Sequence, residues 1–263
     1  VLPFLKWAGG KRWLFDAAFV KALPPHRRYI EPFLGGGAGF FAVAPEESVL
    51  SDVNSELVDL YAAVRDYPCE LKQRLAELQE THGPEQYYLT RASSPTTGLE
   101  RAVRSLYLNR TCWNGLYRLN KKGEFNVPIG TKTAIVLPTD DFQAASYLLR
   151  NTKLRCADFE AVIDDAGDGD LIFADPPYTV KHNLNGFVKY NERLFAWDDQ
   201  IRLKHALVRA VERGARVVLT NADHMSLATL YEGVGRHERA YRSSIISGKA
   251  AGRVPTSELV ITI

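Results

Sequence analysis

Short apolar runs alternate with segments of helical spacing at both ends of this 263-residue chain, and the middle breaks that rhythm. "YIEPF" (29–33) reads as a strand, "LGGGAGFF" (34–41) as a glycine-rich turn, and "SVLSDVN" (48–54) as a second strand. Leu57, Leu60, Tyr61 and Val64 then recur at the spacing of one helix face. From 65 to 150 the pattern predicts helices, first through Leu71, Leu75 and Leu78, then through Leu99, Ala102, Val103 and Leu106. An asparagine- and glycine-rich loop, "NRTCWNGLYRLNKKGEFNVPIG" (109–130), follows them. Alternation resumes with "KLRCADF" (153–159) and "DLIFADPPY" (170–178), both read as buried parallel strands. A helix through Leu203, Leu207, Ala210 and Val211 precedes the strand "RVVLTNA" (216–222), and "RAYRSSII" with "ELVITI" reads as a terminal hairpin. Such alternation implies a doubly wound α/β sheet built from 1–64 and 151–263, interrupted by a mostly helical subdomain at 65–150. Ligands of such sheets bind at the carboxyl ends of the strands, where Glu31, Asp52, Asp158 and Asp175 stand.

Composition narrows the class only a little. An apolar share of 46% and a charged share of 24% are those of an ordinary globular protein. Cys69, Cys112 and Cys156 form no CxxC pair and the histidines no HxxxH, so no metal is expected and a reducing cytoplasm is. No apolar stretch is long enough for a membrane span, and the start shows no signal-peptide pattern. The net charge of +2 hides an uneven distribution. Residues 1–28 hold six basic residues and one acid, and residues 100–132 hold seven and two, so each segment is +5 and the remainder −8. Two basic segments suit a polyanion, although two solvated faces would look the same.

The glycine loop follows a strand and precedes a helix, where backbone can cradle a nucleotide-like ligand. Gly35, Gly37 and Gly39 give GxGxG, whereas the dinucleotide fingerprint needs a glycine where Phe40 stands. A plain tight turn also accounts for such a loop. Asp52, at the end of the second strand, can accept both hydroxyls of a ribose, or can cap the helix that begins at "SELVDLY". Glu31, just before the loop, makes a pyrophosphate unwelcome and favours a cationic or zwitterionic nucleoside such as S-adenosylmethionine. In "FLKWAGGKRWL" (4–14), Trp7 beside Gly9 and Gly10 can cover a ligand face and Lys11 can pair with a carboxylate. A buried anchor and a surface lysine are the plainer readings.

"FADPPY" asks for more than a turn. An exocyclic base amine is a poor nucleophile because its lone pair is delocalised into the ring. Acceptors at Asp175 and at the carbonyl of Pro176, fixed by Pro176 and Pro177, would hold both N–H groups, and Tyr178 would stack on the base. A base inside a duplex is out of reach, so it has to be extruded.

"FLKWAGGKRWL", "YIEPFLGGGAGFF", "SDVNSELVDLY", the 109–130 loop and "FADPPY" together resemble the DNA adenine-N6 methylases that modify GATC, the D12-class alpha group of amino-methyltransferases. The resemblance spans nearly the whole chain in order. It implies a Rossmann-like S-adenosylmethionine-dependent methyltransferase sheet, with 65–150 as target-recognition domain. It implies cofactor contacts at Trp7, Lys11, Asp52 and Asp175, with Glu31, Pro32, Phe33, Gly35 and Gly37 around the methionine moiety and Asp158 and Phe159 facing the adenine. S-adenosylhomocysteine would be the product. Asp175, Pro176, Pro177 and Tyr178 would be the catalytic motif, the acid favouring adenine N6 over cytosine N4. Lys6 would read a guanine. Arg118 can make a bidentate bond to another, and Trp113 can wedge into the duplex or be a core aromatic. Asn114 and Leu116 lie beside it, Pro128 could meet a thymine methyl, and Arg110, Lys121 and Lys122 would serve phosphates. Residues 179–198 are expected to form a lid over the flipped base. A bacterial or phage-infected cytoplasm, a monomer acting on double-stranded DNA, and a cognate restriction endonuclease as optional partner complete the expectation. RNA or cytosine amines as substrate, and a DNA-binding module without catalysis, are the alternatives.

Overall fold

The computed structural model describes residues 1–120, 122–179, 195–242 and 256–263. Along the chain come α1 (Ala17–Ala22), β1 (Arg28–Glu31), α2 (Ala38–Val43), β2 (Glu47–Asp52), α3 (Ser55–Asp66), α4 (Pro68–Glu80), α5 (Pro84–Ala92) and α6 (Gly98–Thr111). After them come α7 (Phe142–Leu149), β3 (Thr152–Cys156), α8 (Phe159–Ile163), β4 (Asp170–Ala174), α9 (Trp197–Glu212), β5 (Arg216–Ala222), α10 (Met225–Leu230), β6 (Arg236–Arg242) and β7 (Thr256–Thr262). Most of the expected elements are present within a few residues. The helices α5 and α7 lie in stretches where the sequence pattern gave no helix. Of the expected lid, residues 180–194 lie outside the described residues.

The strand order is β3-β2-β1-β4-β5-β7-β6. β1, β4 and β5 are parallel neighbours, with Arg28 opposite Asp170 and Ala174 opposite Leu219. β7 pairs antiparallel with both β5 and β6, so the terminal hairpin is real and the sheet is mixed. Close packing divides the chain into two units.

The first unit takes in Val1–Arg12, Leu34–Glu46 and Leu50–Cys156, a wider set than the expected 65–150. Its helices start where caps allow. Asn54 accepts from the Glu56 and Leu57 amides to open α3, Pro68 occupies the first turn of α4, and Thr97 caps α6. Leu57, Leu60, Tyr61 and Val64 are all buried on α3, which packs on α6 and α7. That stripe ties α3 to the helices after it.

The second unit comprises Trp13–Phe33, Glu47–Val49 and Ala157–Ile263. All five residues of β4 are buried, as a strand covered on both faces requires. α9 lays Leu203, Ala206, Leu207 and Ala210 into a core shared with Ile30, Ile172, Val217 and Leu219. Each leucine so buried contributes about 1.5–3 kcal/mol.

One sequence expectation is corrected in the first unit. Arg110, expected on DNA phosphates, is a buried structural residue, its side chain only 5% exposed. Its guanidinium makes a two-pronged bond to Asp140, at 2.6 and 2.7 Å, and donates to the carbonyls of Phe4 and Ile135. Those bonds hold the N-terminal segment and the loop before α7 onto α6. Removing one partner strands a charge in the interior. Asp140→Ala is therefore expected to lose about 3–5 kcal/mol of stability in urea denaturation. A loss no larger than that of an ordinary surface substitution would contradict this assignment.

Candidate functional site

In the second unit the residues expected to form the catalytic motif follow directly from β4. Asp175 is the first residue past the strand, and two prolines that cannot donate to the ladder end the pairing there. Thr220, fully buried on β5, donates its hydroxyl to Asp175 Oδ1 at 2.7 Å. Pro176 is buried, while Pro177 and Tyr178 are half-buried. The Tyr178 hydroxyl donates to Glu258 Oε2 of β7 at 2.7 Å. Burial, reinforced by Asp175 and Glu258, pushes the Tyr178 hydroxyl well above its usual pKa, so it remains a donor. Thr179 receives a longer bond from the buried Gln200, whose side-chain oxygen accepts from Asn221.

The end of β1 lies in the same unit. Glu31 is buried and accepts from the Tyr29 hydroxyl at 3.2 Å. Pro32 is buried, and Phe33 stacks on Phe159 with centroids 5.3 Å apart. Asp158 caps α8 through the Glu160 amide and pairs with Arg202 at 2.8 Å. The same guanidinium lies 4.8 Å from the Phe159 ring centroid. The acid–aromatic pair is thus already engaged within the fold.

The first unit holds the other expected cofactor residues. Gly35 and Gly37 have φ of +47° and +63°, a region that favours glycine. A Cβ on Gly35 would stand 2.8 Å from the Trp7 indole, and one on Gly37 2.5 Å from the Tyr61 hydroxyl. Trp7 lies against this loop and packs on Tyr117, centroids 5.4 Å apart. Lys11 is buried, not a surface lysine, and its ammonium donates to the Gly9 carbonyl. Asp52 is not the cap of α3, a role that falls to Asn54. Its two oxygens accept instead from the Gly35 and Asn54 amides, at 3.1 and 3.0 Å, so the carboxylate ties the glycine loop to the end of β2.

The 109–130 segment of this unit buries Cys112, Phe125 and Val127 and is further fastened by polar bonds. Asn109 both donates to and accepts from the backbone of Lys6, and the Lys6 ammonium reaches the Asn114 carbonyl. Tyr87 and Arg91 of α5 donate to the Val127 carbonyl, and the Trp113 amide donates to that of Pro128. Trp113, 52% exposed, is therefore no core aromatic. Asn114 is exposed with a left-handed φ of 56°, and Leu116 is half-buried. Arg118 is exposed on a hairpin that pairs Leu119 with Phe125, and its Nε donates to Asn126 Oδ1 at 2.8 Å. Lys6, Lys122 and Pro128 are exposed too, and Lys121 lies outside the described residues.

Sequence reasoning missed Thr220, Glu258, Asn109 and the Gln200–Asn221 pair. The polar "TN" that ends the apolar run of β5 was the available signal for two of them. Among the described residues no cluster of His, Cys, Asp and Glu suits a metal, and no helix is long and apolar enough to cross a membrane.

A mixed α/β sheet with helical insertions, whose central strand ends in Asp-Pro-Pro-Tyr, defines a methyltransferase-like protein. The chain belongs to the D12 class of N6 adenine-specific DNA methyltransferases, whose family model matches residues 7–245. It is 34% identical over 271 residues to the type II methyltransferase M1.LlaDCHI of Lactococcus lactis subsp. cremoris, covering 99% of this chain and 94% of that one. It is 35% identical to the type II methyltransferase M.MjaIII of Methanocaldococcus jannaschii, over 89% of each chain. The DNA adenine methylase of Escherichia coli K12 is 34% identical over 93% of this chain and 89% of its own. The protein is an adenine-specific DNA methyltransferase.

The state of Asp52 can be measured directly. Burial raises its pKa, and the amides of Asn54, Gly35 and Val53 offset only part of that rise. Between the ordinary value of about 3.9 and the raised one, the folded protein holds a proton that the unfolded chain has released. The stability contributed by this group is present below that window and is lost as pH rises through it. A carboxyl-carbon NMR titration should place the Asp52 midpoint above its unfolded value. A midpoint at or below that value would contradict the burial argument.

Proposed function

We propose that this enzyme methylates N6 of an adenine flipped out of duplex DNA at GATC, with S-adenosylmethionine as donor and S-adenosylhomocysteine as product. The observation behind this reading is the Thr220–Asp175 bond at the end of β4, which fixes an acceptor just ahead of Pro176, Pro177 and Tyr178. Asp175 and the Pro176 carbonyl accept the two N–H groups of the amine. That holds the amine in plane and draws its lone pair toward the point of attack. Tyr178 stacks on the extruded base.

The donor set suits the cofactor. Glu31 and Asp52 end β1 and β2, and Asp175 follows β4, a chemistry that fits ribose hydroxyls and a cationic amino-acid nucleoside and repels a pyrophosphate. S-adenosylmethionine, when bound, supplies an electrophilic methyl group on sulfonium sulfur. In the first unit Asp52 accepts the ribose hydroxyls, Trp7 and Lys11 stand with the Gly35–Gly37 backbone around the ligand, and Lys11 meets its carboxylate. In the second, Glu31, Pro32 and Phe33 line the methionine portion, and Asp158 and Phe159 face the adenine. The Gly35–Gly37 strictures are met by Trp7 and Tyr61, so the loop's glycines answer to packing as well as to any ligand.

Target reading falls to the segment fastened to α6, within the 65–150 insert. Arg118 and Lys6 bind guanine edges, Trp113 fills the space left by the flipped base, and Asn114 and Leu116 support it. Pro128 packs on a thymine methyl, while Lys121 and Lys122 meet phosphates. The enzyme acts as a monomer in a bacterial or phage-infected cytoplasm. The type II names of two relatives support a setting beside a cognate restriction endonuclease.

Labelled S-adenosylmethionine incubated with duplexes containing or lacking GATC tests the reading. Label on the GATC duplex alone is expected. Label on both would remove the site assignment, and label on neither would remove the proposed activity. Asp175→Ala is expected to abolish transfer while leaving DNA binding by gel shift intact. Wild-type turnover in that variant would refute the role given to Asp175.

A further inference from the structure

β7 begins at the edge of the second unit where the parallel strands end. Glu258 is opposite Ala222, the last residue of β5, and opposite Ala240 of β6. It is thereby held on both sides, and its carboxylate is 2.7 Å from the Tyr178 hydroxyl. Within the turn, Asp175 is bonded by Thr220 and Thr179 by Gln200, so its two ends have their own supports. The Tyr178 ring between them is half-buried and packs against the core of this unit, and its hydroxyl reaches Glu258. Its hydroxyl, which burial keeps protonated, ties the ring to β7, two strands away from β4.

We propose that Glu258 is a positioning residue for methyl transfer: its carboxylate fixes the plane of the Tyr178 ring, and with it the orientation of the adenine stacked there. This rests on the reading that Tyr178 stacks on the flipped base. Stacking holds a base firmly only when the ring face is fixed, and N6 must meet the acceptors at Asp175 in alignment for the reaction to be fast. A role for Glu258 in holding β7 alone would change stability without changing the contact between residue 178 and the base.

Glu258→Ala, Glu258→Gln and Tyr178→Phe are to be compared for turnover and for photocrosslinking to a GATC duplex with 5-iodouracil in place of the target adenine. Glu258→Ala and Tyr178→Phe should each lower kcat about tenfold, with the KM for DNA unchanged. The double variant should be no slower than either single one. Glu258→Ala should also lower the crosslink yield at residue 178, and Glu258→Gln, which keeps an acceptor, should recover most of the rate. Wild-type kcat and crosslinking in Glu258→Ala, or losses that multiply in the double variant, would overturn the proposal. Should Glu258→Ala fail to fold, Tyr178→Phe decides alone, because it keeps the ring and removes only the bond. A wild-type rate there would overturn the proposal. Absence of any crosslink at Tyr178 in the wild-type enzyme would instead remove the stacking reading on which the proposal rests.

Discussion

A strand paired on both edges and buried on both faces has nowhere to slide, and β4 is such a strand. β1 and β5 flank it in parallel, and none of its five side chains reaches solvent. A register shift of one residue would turn every one of them to the wrong face, so the register is held hard. Asp175 therefore leaves the sheet at a set point. The two prolines that follow have no amide to extend the ladder, and each fixes its own φ. Thr220, from the adjacent strand, then orients the carboxylate. The placement of one acid thus follows from packing several residues away.

The first unit solves a different problem. The 109–130 segment buries Cys112, Phe125 and Val127 but leaves many of its polar side chains at the surface, so apolar packing alone does not hold it. The 109–130 stretch is fastened by hydrogen bonds as well: the Asn109 side chain grips the Lys6 backbone, Tyr87 and Arg91 grip the Val127 carbonyl, and the Trp113 amide bonds Pro128. Each such bond adds only about 1 kcal/mol, yet together they leave Trp113, Arg118 and Pro128 facing outward on fixed backbone. Buried Arg110 belongs to the same scheme, since it ties α6 to the segments before and after it.

The alternation of strand and helix was legible because burial imposes period two or near-continuous apolar runs on strands and period 3.6 on helices. Glu31, Asp52 and Asp175 stood out as acids at the ends of apolar runs, and the structure has them there. Arg110 misled because a tally of basic residues records sign and not burial. Its partner Asp140 lies 30 positions away, beyond any local pattern. Asp52 and Asn54 could not be told apart as caps, since both side chains accept from amides and only backbone geometry assigns the cap. Thr220 and Glu258 were hidden for a further reason. Each matters through a neighbouring strand, and pairing partners are set by topology that a single strand does not record. The helices α5 and α7 escaped because short amphipathic stretches, such as "PEQYYLTRA" with only Tyr87 buried, hold too little periodicity to read.

Acids at the ends of the strands are held in two ways, by arginine or by a hydroxyl. At the amino end, Asp170 is opposite Arg28, and the guanidinium grips it at 2.6 and 2.9 Å. At the carboxyl end Asp158 and Asp223 likewise pair with Arg202 and Arg239, whereas Glu31, Asp175 and Glu258 each accept from a hydroxyl, of Tyr29, Thr220 and Tyr178 in turn. A hydroxyl orients a carboxylate and satisfies a lone pair without itself bringing a positive charge, whereas an arginine cancels what it binds. Oriented acids of this kind suit ligands that offer N–H groups or positive charge, and they disfavour phosphate. An amine to be methylated and a sulfonium to methylate it are two such ligands. Under the proposed function, the same chemistry of oriented acids would serve the adenine amine and the sulfonium donor alike.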